Sequence, residues 1–469
     1  MKKALVYGLG ENYRHSKDFL EKNFYIVGYI DRNLTGEAPS LSLISAYIYD
    51  VIIVTPSDSS PIVTYLLDIG VEKHKIIVLK ELLIENVFSQ SYEKRALISY
   101  IISPFIFGGD FKKHTNHMEC LTAARIFDSL GYIVDVVNCD ADVQIDYSGY
   151  DVVYGMADNL ERSFEYEEGM IRIFYATGCN PIYSNVETLK RSREFIKHGR
   201  GFAFSSTRFI EGNQEKQIFL SDQVIVLGNE FVESTYTRFD DNNSSWRYSR
   251  LNAFFYNNEN INVQDKNYSD ARSHFVWFGS SGCLHKGLDL AIQLALDHPE
   301  YTLHICGARH KEELEFWDYY QSFVNEADNI VEHGFLNVAS KEFSDLMMKC
   351  GFAIFPSVSE GGCPALLTVM GNGGLIPLTS VRTGLDLPEF IPVLRQEQNS
   401  LQEYEKLIEY WSTFSDNHLR EISIALKEYV CKNYTYESYK YCLEQIIRKV
   451  LSSYEEETDD SCQSGTTFL

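Results

Sequence analysis

A chain of 469 residues is too long for one ordinary core and predicts two or three domains. Hydrophobic residues make up 45% and aromatic residues 14%, enough for packed globular domains, while a formal net charge of −24 argues against nucleic-acid binding and broad adhesion to anionic membrane. Ten cysteines without Cys-x-x-Cys spacing read as buried thiols in a reducing compartment, not as a disulfide framework or a zinc site.

The opening MKKALVYGLG reads as a strand and not a signal peptide, because its apolar run is short and ends in ENYRHSKD. No run approaches the ~18–20 apolar residues that span a bilayer, and a cytoplasmic protein is expected. Residues 1–90 alternate between strand and helix: KALVYGL, SKDFLEKN, YIVGYID, DVIIVTP, SSPIVTYLLDIG and KIIVL. Such alternation implies a parallel sheet with right-handed crossovers. Gly8-Leu9-Gly10 follows the first strand, and Asp31 ends the second, as in a dinucleotide fingerprint. Tyr13 stands where the third glycine would be. This unit resembles the Rossmann-like domains that open some sugar-modifying acyltransferases and capsule-synthesis proteins. A structural or docking role, nucleotide binding and hydride chemistry all stay open for it.

A second α/β unit covers residues 97–264. LISYIISPF is its first strand, followed by a loop with Gly108, Gly109, Asp110 and His114, then the amphipathic helix HMECLTAARIFDSLG. YIVDVVN, YDVVYGM, IRIFYAT, GFAFSS and DQVIVLGN continue the alternation. Gly108 and Gly109 would let backbone approach a ligand, or simply form a turn. Asp110 is a candidate base. His114 and His117 share one helical face; no further ligands accompany them, so a metal is not expected, and they read either as polar contacts in the interdomain cleft or as plain surface or capping residues. Thr177 follows a strand and is expected to line a cleft. The stretch ETLKRSREFIKHGR holds five Lys/Arg against two Glu: either a solvated helix or a docking face for anionic lipid or a lipid-linked acceptor.

Residues 257–267 are polar and read as a linker. The third unit, residues 273–435, places strands at SHFVWFG, YTLHICG, NIVEHGFL, GFAIFPS and LIPLTS. Its most telling stretch is AIFPSVSEGGCPALLTVMGNGGLIPLTS. A buried strand leads into a polar turn carrying Glu360, then a short helix opened by Pro364 and stopped by Gly371-Asn372-Gly373-Gly374. Gly361, Gly362 and Cys363 offer backbone amides at that helix start, where anions are bound. An anion cradle beside a hydroxyl-accepting carboxylate suits a sugar carried on a nucleoside diphosphate. Residues 436–453 continue the helical pattern, and residues 454–469 read as an acidic disordered tail.

The turn Pro356-Ser357-x-x-Glu360-Gly361 resembles that of GT-B glycosyltransferases of the family 4 type, and residues 97–264 resemble the acceptor domain of such enzymes. The resemblance implies three Rossmann-like parallel-sheet domains, the last two forming a GT-B fold with C-terminal crossover helices. It also implies transfer, with retention, from a nucleoside-diphosphate sugar to a saccharide or lipid-linked saccharide in surface polysaccharide or lipopolysaccharide assembly. No metal or other cofactor is implied. Lys286, in Gly279-Ser280-Ser281-Gly-Cys-Leu-His-Lys-Gly, matches the diphosphate-binding lysine, and Glu360 the sugar-binding acid. The family's arginine after the first glycine is Ser280 here, and its second glutamate is Thr368. These two departures favour an alternative: a catalytically weak GT-B scaffold that binds a nucleotide sugar or a partner transferase.

Overall fold

The computed structural model describes residues 1–31, 41–107, 115–166, 169–212, 214–238, 247–258, 261–307 and 313–464, with the side chains of 41–42 and 455–464 excepted. The chain forms two compact units, Met1–Phe174 with Phe219–Asp222, and Tyr175–Ile218 with Gln223–Leu469. Its strands make three sheets, parallel except for one short antiparallel pair.

In the first unit, β1 (Lys2–Tyr7), β2 (Phe24–Ile30), β3 (Val51–Val54) and β4 (Ile76–Val78) lie in the order β2-β1-β3-β4. Their apolar runs bury Leu5, Tyr7, Ile30, Ile52 and Val54 against Ile44, Leu66 and Val71. There follow β5 (Leu83–Ile84), β6 (Lys94–Tyr100), β7 (Tyr132–Asn138), β8 (Val152–Gly155) and β9 (Ile171–Ala176), ordered β9-β8-β6-β7-β5. Asp135, the acid inside YIVDVVN, is buried. It accepts hydrogen bonds from Arg95 at 2.5 Å, the Tyr150 hydroxyl at 2.6 Å and the Asn86 amide at 2.7 Å, which makes a buried carboxylate tolerable.

In the second unit, β10 (Gln223–Leu227) pairs in parallel with β11 (Tyr248–Leu251). Strands β12 (His274–Phe278), β13 (Thr302–Cys306), β14 (Ile330–Gly334), β15 (Phe352–Phe355) and β16 (Ile376–Thr379) form a parallel sheet in the order β14-β13-β12-β15-β16. Because the first strand is central, the winding direction reverses between β12 and β15. A crevice opens there at the C-terminal strand ends. Helices Leu401–Ser412, Asp416–Asn433 and Tyr436–Ser464 close the chain. The last one packs Tyr436 and Tyr439 on Phe254 and joins its Tyr439 hydroxyl to that of Tyr175 at 3.1 Å.

Several elements differ from the sequence reading. GFAFSS is not a strand but carries a single 3-10 turn, Phe204–Ser206. Gly199 and Gly201 take positive φ just before it and prevent an extended run. Strand β11 was not expected, because Tyr248-Ser-Arg-Leu251 follows no alternation. The final helix continues to Ser464, since Glu-rich residues 455–457 favour helix and neither glycine nor proline interrupts them before Gly465. The polar stretch 257–267 is anchored by Lys266, whose buried ammonium donates to the carbonyls of Cys350 at 2.8 Å and Gly373 at 2.6 Å. Burial pushes that amine down to about 7, with Lys427 adding to the effect.

Candidate functional site

The loop after β12 is built by its glycines. Gly287 has φ +69, and a Cβ there would sit 2.4 Å from the Pro356 carbonyl oxygen, so only glycine brings this loop against the one after β15. The buried Glu313 carboxylate takes the amides of Gly282 and Cys283, and the Cys283 thiol at 2.8 Å. Those two N–H groups are therefore filled by the protein's own anion. Trp277 lies beneath, its indole N–H donating to the Lys286 carbonyl at 3.2 Å. The Lys286 ammonium is left reaching Ser280 Oγ at 3.4 Å.

The loop after β15 is braced from behind. Arg382, buried, donates to Glu187 at 2.7 Å, to the Val358 carbonyl at 3.1 Å and to the Gln396 carbonyl at 2.8 Å from Nε. Its own carbonyl accepts the Glu360 amide at 2.9 Å. His285 bonds Ser359 O through Nε2 at 2.7 Å and Thr188 Oγ1 through Nδ1 at 3.1 Å. Since a carbonyl only accepts, the proton sits on Nε2. Burial pushes this imidazole down to about 4, so it is neutral.

Glu360 emerges where the two loops meet. Arg208, which the sequence reading did not single out, brings its guanidinium to 4.0 Å from Glu360 Oε2. Its backbone holds φ +52, a strained conformation for a non-glycine residue, and its stem lies on Gly282, where a Cβ would meet Arg208 Cδ at 2.3 Å. Burial pushes the Glu360 carboxyl up, but Lys286 and Arg208 more than offset this and hold it below the usual range. It is an anion at neutral pH, able to accept hydrogen bonds and not to donate them.

Lys286, Glu360 and Cys363 line one cavity of about 50 Å³ with Trp277, Phe278 and Phe355. Pro364 opens the Pro364–Gly373 helix beside it, with Cys363 at φ +24 as its cap. Among the described residues no backbone or side-chain acceptor takes the N–H of Gly361, Gly362 or Cys363. A Cβ on Gly361 would lie 2.3 Å from the Thr177 carbonyl oxygen, so Thr177 stands at this turn. Gly279 is seated on the Trp277 ring, and Ser281 is exposed. Ser357 is buried, and its hydroxyl faces the Glu360 carboxylate and helps to hold it down. Thr368, 7% exposed, spends its hydroxyl proton on the Pro364 carbonyl at 2.8 Å. His117 sits in the first turn of the Thr115–Ser129 helix of the first unit. Gly108, Gly109, Asp110 and His114 lie outside the described residues. Among the described residues no group of three or more His, Cys, Asp or Glu could hold a metal ion.

The fingerprint loop of the first unit is occupied differently. Asp31 does not point outward towards a ribose site but accepts the Leu9 amide at 2.6 Å. Asn12 bonds Thr55 O and Ser57 Oγ, both at 3.0 Å, and Tyr13 packs its ring on Tyr29 at 5.6 Å.

The sequence matches no family profile and no curated protein. Among solved structures, sucrose-phosphate synthase from Thermosynechococcus elongatus aligns over 77% of this chain and 100% of its own, at TM-score 0.50 and 12% identity. The chain has a GT-B fold. Anabaena HepE, solved with UDP and glucose, covers 97% of this chain and 100% of its own at TM-score 0.44 and 11% identity. The lipopolysaccharide outer core galactosyltransferase WaaB covers 76% and 99% at TM-score 0.43 and 13% identity. No described helix is long and apolar enough to cross a membrane.

Proposed function

We propose that this protein is a glycosyltransferase of the GT-B family 4 type, moving a sugar from a nucleoside-diphosphate sugar to a saccharide hydroxyl. The observation that carries the reading is the convergence of Lys286, Arg208 and Glu360 at the crevice between β12 and β15. Two cations against one carboxylate leave a net positive charge, the right sign for a diphosphate leaving group. As the anomeric C–O bond breaks, its electron pair goes to the phosphate oxygen, and Lys286 and Arg208 stabilise the charge formed there. Arg208 supplies the cation that Ser280 does not. The ionised Glu360 accepts hydrogen bonds from donor-sugar hydroxyls and fixes the ring. The 50 Å³ cavity has room for water but not for a sugar, so the donor lies across these groups, against the amides of Gly361, Gly362 and Cys363.

The reading extends to residues 97–264 as acceptor domain, residues 273–435 as donor domain, and residues 1–90 as a separate Rossmann-like unit. It includes retention, no metal, a cytoplasmic site of action and a surface-polysaccharide or lipopolysaccharide acceptor. A second reading, a GT-B scaffold that binds a nucleotide sugar without turnover, is favoured by one observation. Thr368 has no proton left to donate, and its single oxygen is a poor substitute for a carboxylate that would hold two ribose hydroxyls.

A panel of nucleotide sugars scored for binding and for nucleotide release separates the two. Lys286→Ala and Arg208→Gln should each weaken diphosphate binding by roughly 10- to 100-fold, the cost of one charge-assisted contact. Glu360→Gln should abolish transfer while nucleotide binding persists. Release that survives Lys286→Ala and Glu360→Gln overturns the site, and binding without release selects the scaffold.

A further inference from the structure

We propose that the outward face of the Pro181–Lys197 helix docks the protein on an anionic membrane surface. The inward face is fully employed. Ser184, Glu187, Thr188, Ser192 and Phe195 are buried, and Arg191, only 10% exposed, pairs with Asp289 at 2.6 Å. Two of the charges that made this segment look like a plain solvated helix, Glu187 and Arg191, therefore point into the protein. What remains outside is an apolar stripe. Ile182, Val186, Leu189 and Ile196 recur at helical spacing and are 39%, 45%, 49% and 47% exposed. The stripe runs nearly the whole helix, roughly 20 Å at 1.5 Å per residue. Just past the helix end, Phe202 and Phe204 stack at 5.6 Å with 57% and 37% of their surfaces in solvent. A run of large apolar groups in water marks an interaction surface.

Charge decides the occupant. Arg193 falls within the stripe and Lys190, Glu194 and Lys197 along one side, all four exposed. Lys197 pairs with Glu194 at 2.6 Å and Lys190 with the buried Glu187 at 2.7 Å, so the outer face carries three cations against one carboxylate, in a chain whose net charge is −24. A second copy of the chain would set like-charged stripes face to face. An anionic bilayer accepts both features: apolar side chains enter the headgroup boundary, and the cations sit among lipid phosphates. The helix lies on the membrane and does not cross it. This inference does not depend on the proposed chemistry; where that chemistry holds, docking brings the enzyme to a lipid-linked acceptor.

The test is co-sedimentation of the full chain with vesicles of equal parts phosphatidylglycerol and phosphatidylcholine, and with phosphatidylcholine alone. The protein should partition onto the anionic vesicles about tenfold or more better than onto the neutral ones, and lose that preference in high salt. Leu189→Asp and Arg193→Glu, both on exposed positions, should each cut partitioning about tenfold while melting temperature and nucleotide binding stay unchanged. Equal partitioning onto both vesicles, or none onto either, overturns the proposal. So does self-association without lipid that Leu189→Asp abolishes, since the stripe would then be a protein interface.

Discussion

Of the crevices where a parallel sheet reverses its winding, the one between β1 and β3 and the one between β12 and β15 are made by the same rule. They are used in opposite ways. In the first, Asp31 caps the Leu9 amide, Asn12 ties the loop after β1 to the one after β3, and Gly8 packs on the Pro56 ring. The Leu9 amide is thereby taken by the chain's own carboxylate, whereas the Gly10 cap of the helix that follows has no side-chain partner. In the second, Glu313 fills only the deep amides of Gly282 and Cys283, and the bracing by Arg382 and His285 comes from behind the loop. Lys286, Arg208 and Glu360 are left facing one another with incomplete partners. A shared fold therefore does not imply a shared site; the difference lies in whether short polar side chains close the crevice or support its walls.

The comparison can be broken from several sides. The largest effect should come from Arg382→Met, which strands the buried Glu187 carboxylate and unties the Val358 carbonyl. A loss of about 3–5 kcal/mol is expected in denaturant titration, together with lost donor binding. Stability unchanged by Arg382→Met would mean that the second crevice does not depend on its rear brace.

Acid should act on the second unit. His304, bonded to His274 at 3.0 Å and His333 at 2.9 Å, is pushed down to about 3 by burial, the two neighbouring imidazoles and Lys349. The unfolded imidazole titrates near 6.5, so below that pH the unfolded chain binds a proton that the native state refuses. The stability tied to the neutral ring is complete above pH ~6.5 and falls as pH drops towards the folded value. At pH 5 the loss should be about 2 kcal/mol for this residue, and His304→Gln should remove that share of the acid sensitivity. Trp277, Trp317 and Trp411 lie in the second unit, so the fluorescence midpoint in urea reports it directly. A midpoint that does not move between pH 7.5 and 5 would overturn this.

The smallest effect belongs to Asp31→Ala, about 1 kcal/mol, because the half-exposed Leu9 amide regains water. Nucleotide titrations should not change. Altered nucleotide affinity in that variant would show that the first crevice is a site after all.

Most strands were legible because continuous apolar runs such as Phe352–Phe355 leave no other reading. The turn at Glu360 was legible because glycine, proline and an acid stand at fixed offsets. What escaped were residues whose roles depend on partners far away in sequence. Arg208 comes from an irregular segment, and its one local sign, a positive φ, is invisible in a string of letters. Glu313 and Arg382 look like ordinary surface charges until the fold encloses them. Thr368 was noted as a departure, but only the helix geometry shows where its proton goes.

The bond between Tyr175 and Tyr439 has a consequence in time. The two residues are 264 apart in the chain. A ribosome adding about 5–20 residues per second needs roughly 13–50 s to make the second after the first. During that interval the end of β9 waits for its lid, while β12 to β16, whose contacts are nearer in sequence, are free to assemble. The sheet of β12 to β16 can thus be finished before the last helix returns, so the order of synthesis matters to how this molecule reaches its native state.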